Sequence, residues 1–429
     1  MPILLHLRPI CIAFAALAPS IAPLPAVAQL LGSEFQVNSY TTGDQAYPAV
    51  GADAAGNFVV VWTSGGQDGS GNGIFAQRFD LAAAAVGSEF QVHSYTTQDQ
   101  YAPAVAADDA GNFLVVWLRG PDPGGHPGLF GQRFDASGSP AGNEFRVNVS
   151  TTGQPARPAV AADGLGNFIV VWQDDEVLAR RFGPDGAPAS GELRVNTATF
   201  DAQGEAAVAA DAAGNFVVVW DSYLQDGSSY GIFGQRFAAT GAPTGGEFQV
   251  NTYTTSWQTT PAVAMGDAGD FVVVWNRDHP GGSGSDIAGQ RFDAGGSPLG
   301  GEFQASGLVT GFKGRPAVAI TAAGSFVVAW DAPGRDGSAA GVLAQAFDSA
   351  GAPAGGEFLV NTHTTAAQTL PVVAAGADGS FVAVWQSDPG QDGMGGGIFA
   401  QQLATLPFRD DFESGATCAW SATVGGGCP

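Results

Sequence analysis

Short apolar runs, each closed off by Gly, Asp, Asn or Pro, recur along the whole chain. The clearest reads Gly-Asn-Phe-Val-Val-Val-Trp and ends on Trp62. Its counterparts end on Trp117, Trp172, Trp220, Trp275, Trp330 and Trp385, at spacings of 55, 55, 48, 55, 55 and 55 residues. A fixed period of this length signals a repeat architecture. Within each unit a segment like Pro48 to Asp53 precedes the Trp run. After it come a Gly-rich loop, a segment like Gly73 to Phe79, and one like Glu89 to Val92. All four are short and rich in Val, Phe and Ile, which predicts strands. Asp53 to Asn57 reads as a hairpin turn with Gly56 at its left-handed position. Four antiparallel strands in about 50 residues make one blade of a propeller.

The ends of the pattern predict how the ring closes. Glu34 to Asn38 is a fourth strand lacking the first three, and the seventh unit stops after its third strand, Gly397 to Leu403. The expected fold is all-β: a seven-bladed β-propeller with four antiparallel strands per blade, the amino-terminal strand completing the seventh blade and leaving no open edge.

Composition sharpens the picture. The 429 residues include 63 Gly and 26 Pro, with 16 basic against 40 acidic side chains and Lys313 as the only Lys. This excludes a coiled coil or an ordinary helical enzyme. A net charge of −24 repels phosphate backbones, so no nucleic-acid partner is expected. Hydrophobic content of 45% with 28 Phe supplies a substantial core. Residues 1–28 carry one Arg, an apolar run and a small-residue ending at Ala28, which reads as an export signal. Pro19, Pro23 and Pro25 break that run well short of the roughly 20 residues of a membrane span. The expected product is residues 29–406 as a propeller plus a tail, 407–429. It is monomeric, without a membrane span, and secreted or on the cell surface, with the periplasm as the other possible compartment. Cys418 and Cys428 in the tail can pair in an oxidising compartment.

The seven Gly-[Asn/Asp/Ser]-Phe hairpins, four of them led by Asp as at Asp53, together with the strand swap, resemble bacterial secreted β-propeller repeat proteins over residues 32–403. A looser similarity links the hairpins to the Asp boxes of sialidase-type propellers. They depart from that motif at Gly51 and in Trp62, six residues beyond Gly56. The Phe-Glu-Ser-Gly segment of the tail, followed by Trp420, resembles the ends of other exported bacterial proteins and implies a sorting or attachment element, with a disulfide-tied appendage as the alternative.

Candidate chemistry divides between the two sides of the ring. The tight-turn side is expected to be nearly uniform, whereas the loop side carries all seven Tyr, Trp257 and four His. Rigid amphipathic aromatics suit recognition, so Tyr47, Tyr101, Tyr230, Trp257, His126 and His279 are the expected binding residues for a glycan or protein. Tyr40, Tyr95, Tyr253 and His363 share one repeat position and suit packing at a strand end. The Asp-Gly loops at Asp68, Asp226, Asp336 and Asp392 each offer one carboxylate, too few for calcium, and no metal or cofactor is expected. The seven repeated Glu, from Glu34 to Glu357, and the five repeated Arg, from Arg78 to Arg291, read as structural charges, since catalysis needs an asymmetric pair. Residues breaking the repeat are the remaining catalytic candidates: Asp174, Asp175 and Glu176 in blade 3, and Lys313 with Arg315 in blade 6. The favoured expectation is an exported non-enzymatic binding propeller; the alternative is a polysaccharide hydrolase or lyase of the same fold.

Overall fold

The Trp-ending runs form the second strand of each blade, and all seven Trp side chains are fully buried. Side chains of both parities are buried along these strands because each sheet is covered on both faces. Val59 and Val61 pack with Val105 and Trp117 of blade 2, while Val60 and Trp62 pack with Val382 and Val384 of blade 7. The computed structural model describes residues 26–120, 127–199, 202–307, 311–337, 339–376 and 379–407. Residues Ala26–Leu406 form one compact unit of seven four-stranded antiparallel sheets. The inner strands touch one another in an unbroken circuit, the last, Gln368–Ala375, returning to the first, Gln45–Ala52. The chain is a seven-bladed β-propeller. Small residues line the axis because adjacent blades crowd there; a Cβ on Gly51 would sit 3.1 Å from the backbone nitrogen of Ala107. Among the described residues no helix is long and apolar enough to cross a membrane.

Closure follows the expected swap. Strand Ala26–Gln36 lies beside Gly397–Pro407. Val37 N donates to Ile398 O at 2.8 Å, and Ile398 N to Asn38 Oδ1 at 2.8 Å.

The outer strands are less regular than the repeat suggests. Those of blades 1 and 4, Ala85–Gln91 and Pro243–Gln249, are seven residues long, whereas Phe145–Arg146, Leu193–Arg194, Phe303–Gln304 and Phe358–Leu359 contain two. In these four blades only a single bridge lies beyond the short strand, Phe134 to Pro140 and its equivalents.

The repeated charges are clasps between blades. Each repeated Glu accepts from the backbone N–H of a residue in the preceding blade: Ser39 to Glu89 at 2.6 Å, Ser94 to Glu144 at 3.0 Å, Val149 to Glu192, Thr197 to Glu247, Thr252 to Glu302, Gly307 to Glu357, and across the seam Thr362 to Glu34 at 2.6 Å. On the tight-turn side the repeated Arg reach the next blade's outer turn, as Arg236 Nη1 does at Ala294 O, 2.8 Å. Blade 6 has Ala346 here because the seam leaves blade 7 without that turn, and blade 7 has Gln402, which donates to Leu81 O of blade 1 at 2.7 Å.

Candidate functional site

Six of the seven inner strands open with a bulge, so that one residue has no partner on the second strand. The register skips between Ala46 and Ala49, and likewise in blades 2, 3, 4, 5 and 7. The residue at the bulge is Tyr47, Ala102, Arg157, Glu205, Thr260 or Leu370, each with φ between 31° and 54°. Arg315 holds the same place in blade 6, before Pro316. Left-handed backbone is costly for side chains of this size, and its repetition around an axis marks a constrained site.

The bulge turns its N–H toward the preceding blade, where the residue after the buried Trp captures it. Thr260 N donates to Asp221 Oδ2, Leu370 N to Asp331 Oδ1, and Tyr47 N to Gln386 Oε1, each at 3.3 Å. In blade 5 Asn276 instead donates from Nδ2 to Lys313 O of blade 6 at 2.8 Å. Six bulges, with Arg315 in the same place in blade 6, thus bring side chains of six kinds to the mouth of the axis on the loop side.

Three of them are charged and form one network. Arg157 and Arg315 both pair with Oε1 of Glu205, Arg315 at 3.0 Å. Blades 4 and 6 are not adjacent, so the Arg315 contact bridges past blade 5 across the mouth. Below Glu205 lies Asp221, opposite Gly204 on the neighbouring strand. A Cβ on Gly204 would meet Asp221 Oδ1 at 2.4 Å, and one on Gly314 would meet Asp331 Oδ1 at 2.1 Å. Glycine therefore makes room for a carboxyl in these two blades alone; the equivalent residues elsewhere are Ala46, Tyr101, Ala156, Thr259 and Thr369.

Burial raises both carboxyls. Asp221 is pushed up to about 6, with the Thr260 hydrogen bond and the cations Arg157 and Arg315 pulling the other way. Asp331 is also pushed up to about 6, opposed only by backbone hydrogen bonds. Asp221 is 4% exposed, whereas Asp331 is more open to solvent. Burial and the neighbouring Arg315 hold the Arg157 guanidinium below its ordinary value.

The residues singled out from sequence lie in several places. Tyr47 is at the axial mouth and 57% exposed. Tyr101 is on an inner strand rather than in a loop, half-buried against the core between blades 2 and 3, its phenol raised by burial and Asp99. Tyr230 opens the third strand of blade 4 and meets Trp257 of blade 5. His279 pairs with Asp286 at 2.7 Å, away from the axial network, and His126 lies outside the described residues.

Of the repeat-breaking candidates, Arg315 belongs to the mouth. Lys313 is buried and donates to the carbonyls of Ser285 and Gly311 at 2.9 and 3.2 Å, with burial pulling its pKa down. The acidic trio of blade 3 serves its own loop: Asp174 accepts from Gln154 N at 2.9 Å, and Glu176 from Asn196 Nδ2. Among the described residues no three His, Cys, Asp or Glu converge as metal ligands.

Neither a known protein family nor a curated relative matches the sequence. Solved structures do. A protein of unknown function from Dyadobacter fermentans aligns at TM-score 0.55 and 9% identity, over 88% of this chain and 99% of its own. The propeller domain of the Trilobed protease from Pyrococcus furiosus, described as having an open velcro topology, aligns at 0.51 and 8%, over 87% and 98%. An α-L-arabinofuranosidase from Fusarium graminearum, in complex with an iminosugar inhibitor, aligns at 0.50 and 11%, over 86% and 97%. At these identities the likeness is one of fold. The expectation of a non-enzymatic binding ring is nevertheless corrected. Rings of this shape include a glycoside hydrolase, and the axis carries the asymmetric carboxylates that the sequence reading did not find.

Proposed function

We propose that the protein is a polysaccharide hydrolase whose reaction centre is the axial mouth of the loop side. The observation that carries this reading is two unlike carboxyls linked through the Gly314-Arg315 segment of blade 6. Glu205 is held by two guanidiniums, and Asp331, packed against Gly314 next to Arg315, keeps its proton up to about pH 6. Glycoside hydrolysis needs one carboxyl that donates a proton to the leaving oxygen and one carboxylate that acts as base or nucleophile. Asp331, partly exposed and without a cation partner, is assigned the first role and Glu205 the second. Arg157 and Arg315 fix the Glu205 carboxylate, and buried Asp221 holds the blade 5 bulge in place through Thr260. Tyr47 offers a face for a sugar ring at the rim.

The resemblance to an α-L-arabinofuranosidase makes arabinose-containing polymers the first substrates to assay. Release of reducing sugar from arabinan or an aryl arabinofuranoside, beside xylan and pectin as comparisons, is expected to fall as pH rises through about 6, where Asp331 loses its proton. Asp331→Asn and Glu205→Gln should each lower kcat by about 100-fold or more. Turnover that survives both substitutions would overturn the assignment, as would no release from any of the polymers.

The same proposal puts this activity outside the cytoplasm, a reading supported by the export-signal pattern of residues 1–28. Amino-terminal sequencing of exported protein is expected to begin at Gln29; retention of residues 1–28 on a cytoplasmic product would count against it.

A further inference from the structure

Three aromatic side chains break the repeat where blades 4 and 5 meet on the loop side. Tyr223 closes the second strand of blade 4 and pairs with Tyr230, which opens the third. The same pair of positions is Gly65 with Asn72, Asp278 with Ser285, and Pro333 with Ala340 in other blades. Trp257 stands where Asp44, Asp99 and Ala367 precede the inner strand elsewhere. The Tyr223 and Tyr230 rings lie 5.0 Å apart, and Tyr230 meets Trp257 edge to face at 5.7 Å. Trp257 remains 54% exposed, so the cluster supports an indole that it does not bury.

This cluster adjoins the proposed reaction centre. Tyr223 follows Asp221 by two residues on one strand and so shares its face, roughly 7 Å along the chain. Trp257 precedes Thr260, the bulge residue bonded to Asp221, by three. A sugar unit next to one seated at the mouth would lie on this side of it. Supported amphipathic rings with exposed faces suit the apolar face of a sugar, leaving its hydroxyls to solvent.

We propose that Trp257, backed by Tyr230 and Tyr223, is a stacking subsite for a neighbouring sugar unit of a polymeric substrate, so that the enzyme acts on chains in preference to short glycosides. This rests on the hydrolase reading above, and binding can be measured without turnover.

The test uses the full chain carrying Glu205→Gln, with retardation in gels containing soluble arabinan, arabinoxylan or pectin. At least one polymer should retard the protein. Trp257→Ala should weaken that retardation at least tenfold, Trp257→Phe should retain most of it, and the melting temperature of each variant should match its parent. In the otherwise native chain, Trp257→Ala should raise KM for the polymer by a larger factor than KM for an aryl glycoside. Retardation indifferent to Trp257→Ala, or no retardation by any polymer, would overturn the subsite. Cleavage that persists in Glu205→Gln would overturn the role of Glu205, and no cleavage by the native chain would overturn the hydrolase reading, either one leaving a Trp257-dependent retardation standing.

Discussion

Deleting residues 1–38 is expected to destroy the ring, whereas deleting residues 407–429 should leave its melting temperature within a few degrees of the full chain. The first deletion removes strand Ala26–Gln36 and with it the partner of Gly397–Pro407. It also removes Glu34, the clasp that receives Thr362 N and Oγ1 at 2.6 and 2.9 Å, and Val37, which packs with Phe58, Trp62 and Ile398. An exposed strand edge then remains on an otherwise closed structure, and such edges pair with other molecules. The second deletion touches Pro407 at the strand end and residues outside those described. Both losses are of modest size, so chain length alone does not separate them. Size-exclusion chromatography and thermal unfolding, with export supplied by a heterologous signal, should show aggregation or much earlier melting for the amino-terminal deletion only. Equal stability of the two products would sink the closed ring.

The double substitution Asp221→Asn with Asp331→Asn should stabilise the fold at pH 7.5 and leave it nearly unchanged at pH 4. Both carboxyls are raised from 3.8 to about 6 in the folded chain. The folded state therefore holds more protons than the unfolded state between pH 4 and 6, and unfolding free energy falls as pH rises across that window. Above it the cost is constant at about 3 kcal/mol for each group, from a shift of roughly two pKa units. Asparagine keeps an oxygen for the Thr260 and Leu370 N–H groups and never ionises. Reporting variant minus native at each pH cancels the contribution of other carboxyls, such as Asp109, which is also raised by burial and by Asp267. The expected gain is about 6 kcal/mol at pH 7.5, or roughly 7 °C for a chain of this length. A difference independent of pH would refute the raised carboxyls. Since Asp331→Asn is also expected to lower kcat by about 100-fold or more, the two readouts together describe a site kept at the expense of stability.

Much of the fold could be read from the chain because its determinants repeat. The Trp, the turn Gly and the clasp Glu each occur seven times, and Glu34 at the start together with the truncated seventh unit specifies the seam. The candidate site was hidden by the same regularity. It takes one residue from each of several blades, so Arg157, Glu205 and Arg315 are far apart in sequence and meet only once the ring is closed. Attention went to a contiguous acidic block, Asp174 to Glu176, which the structure places in a self-satisfied loop. A usable signal was present in two columns: the residue after each Trp is acidic only at Asp221 and Asp331, and the paired inner-strand residue is glycine only at Gly204 and Gly314. Reading the repeat for covarying exceptions, rather than for clusters of charge, would have found both.

The left-handed bulge separates what the backbone must do from what the side chain can be. Its shape is imposed by the broken register and by an N–H captured from the neighbouring blade, and it recurs with Tyr, Ala, Arg, Glu, Thr and Leu in place. The axis is thus ringed by interchangeable sockets, and its chemistry can be rewritten one blade at a time while the scaffold stays the same. Selection acting on six such positions can explore many reaction centres without passing through an unfolded sequence.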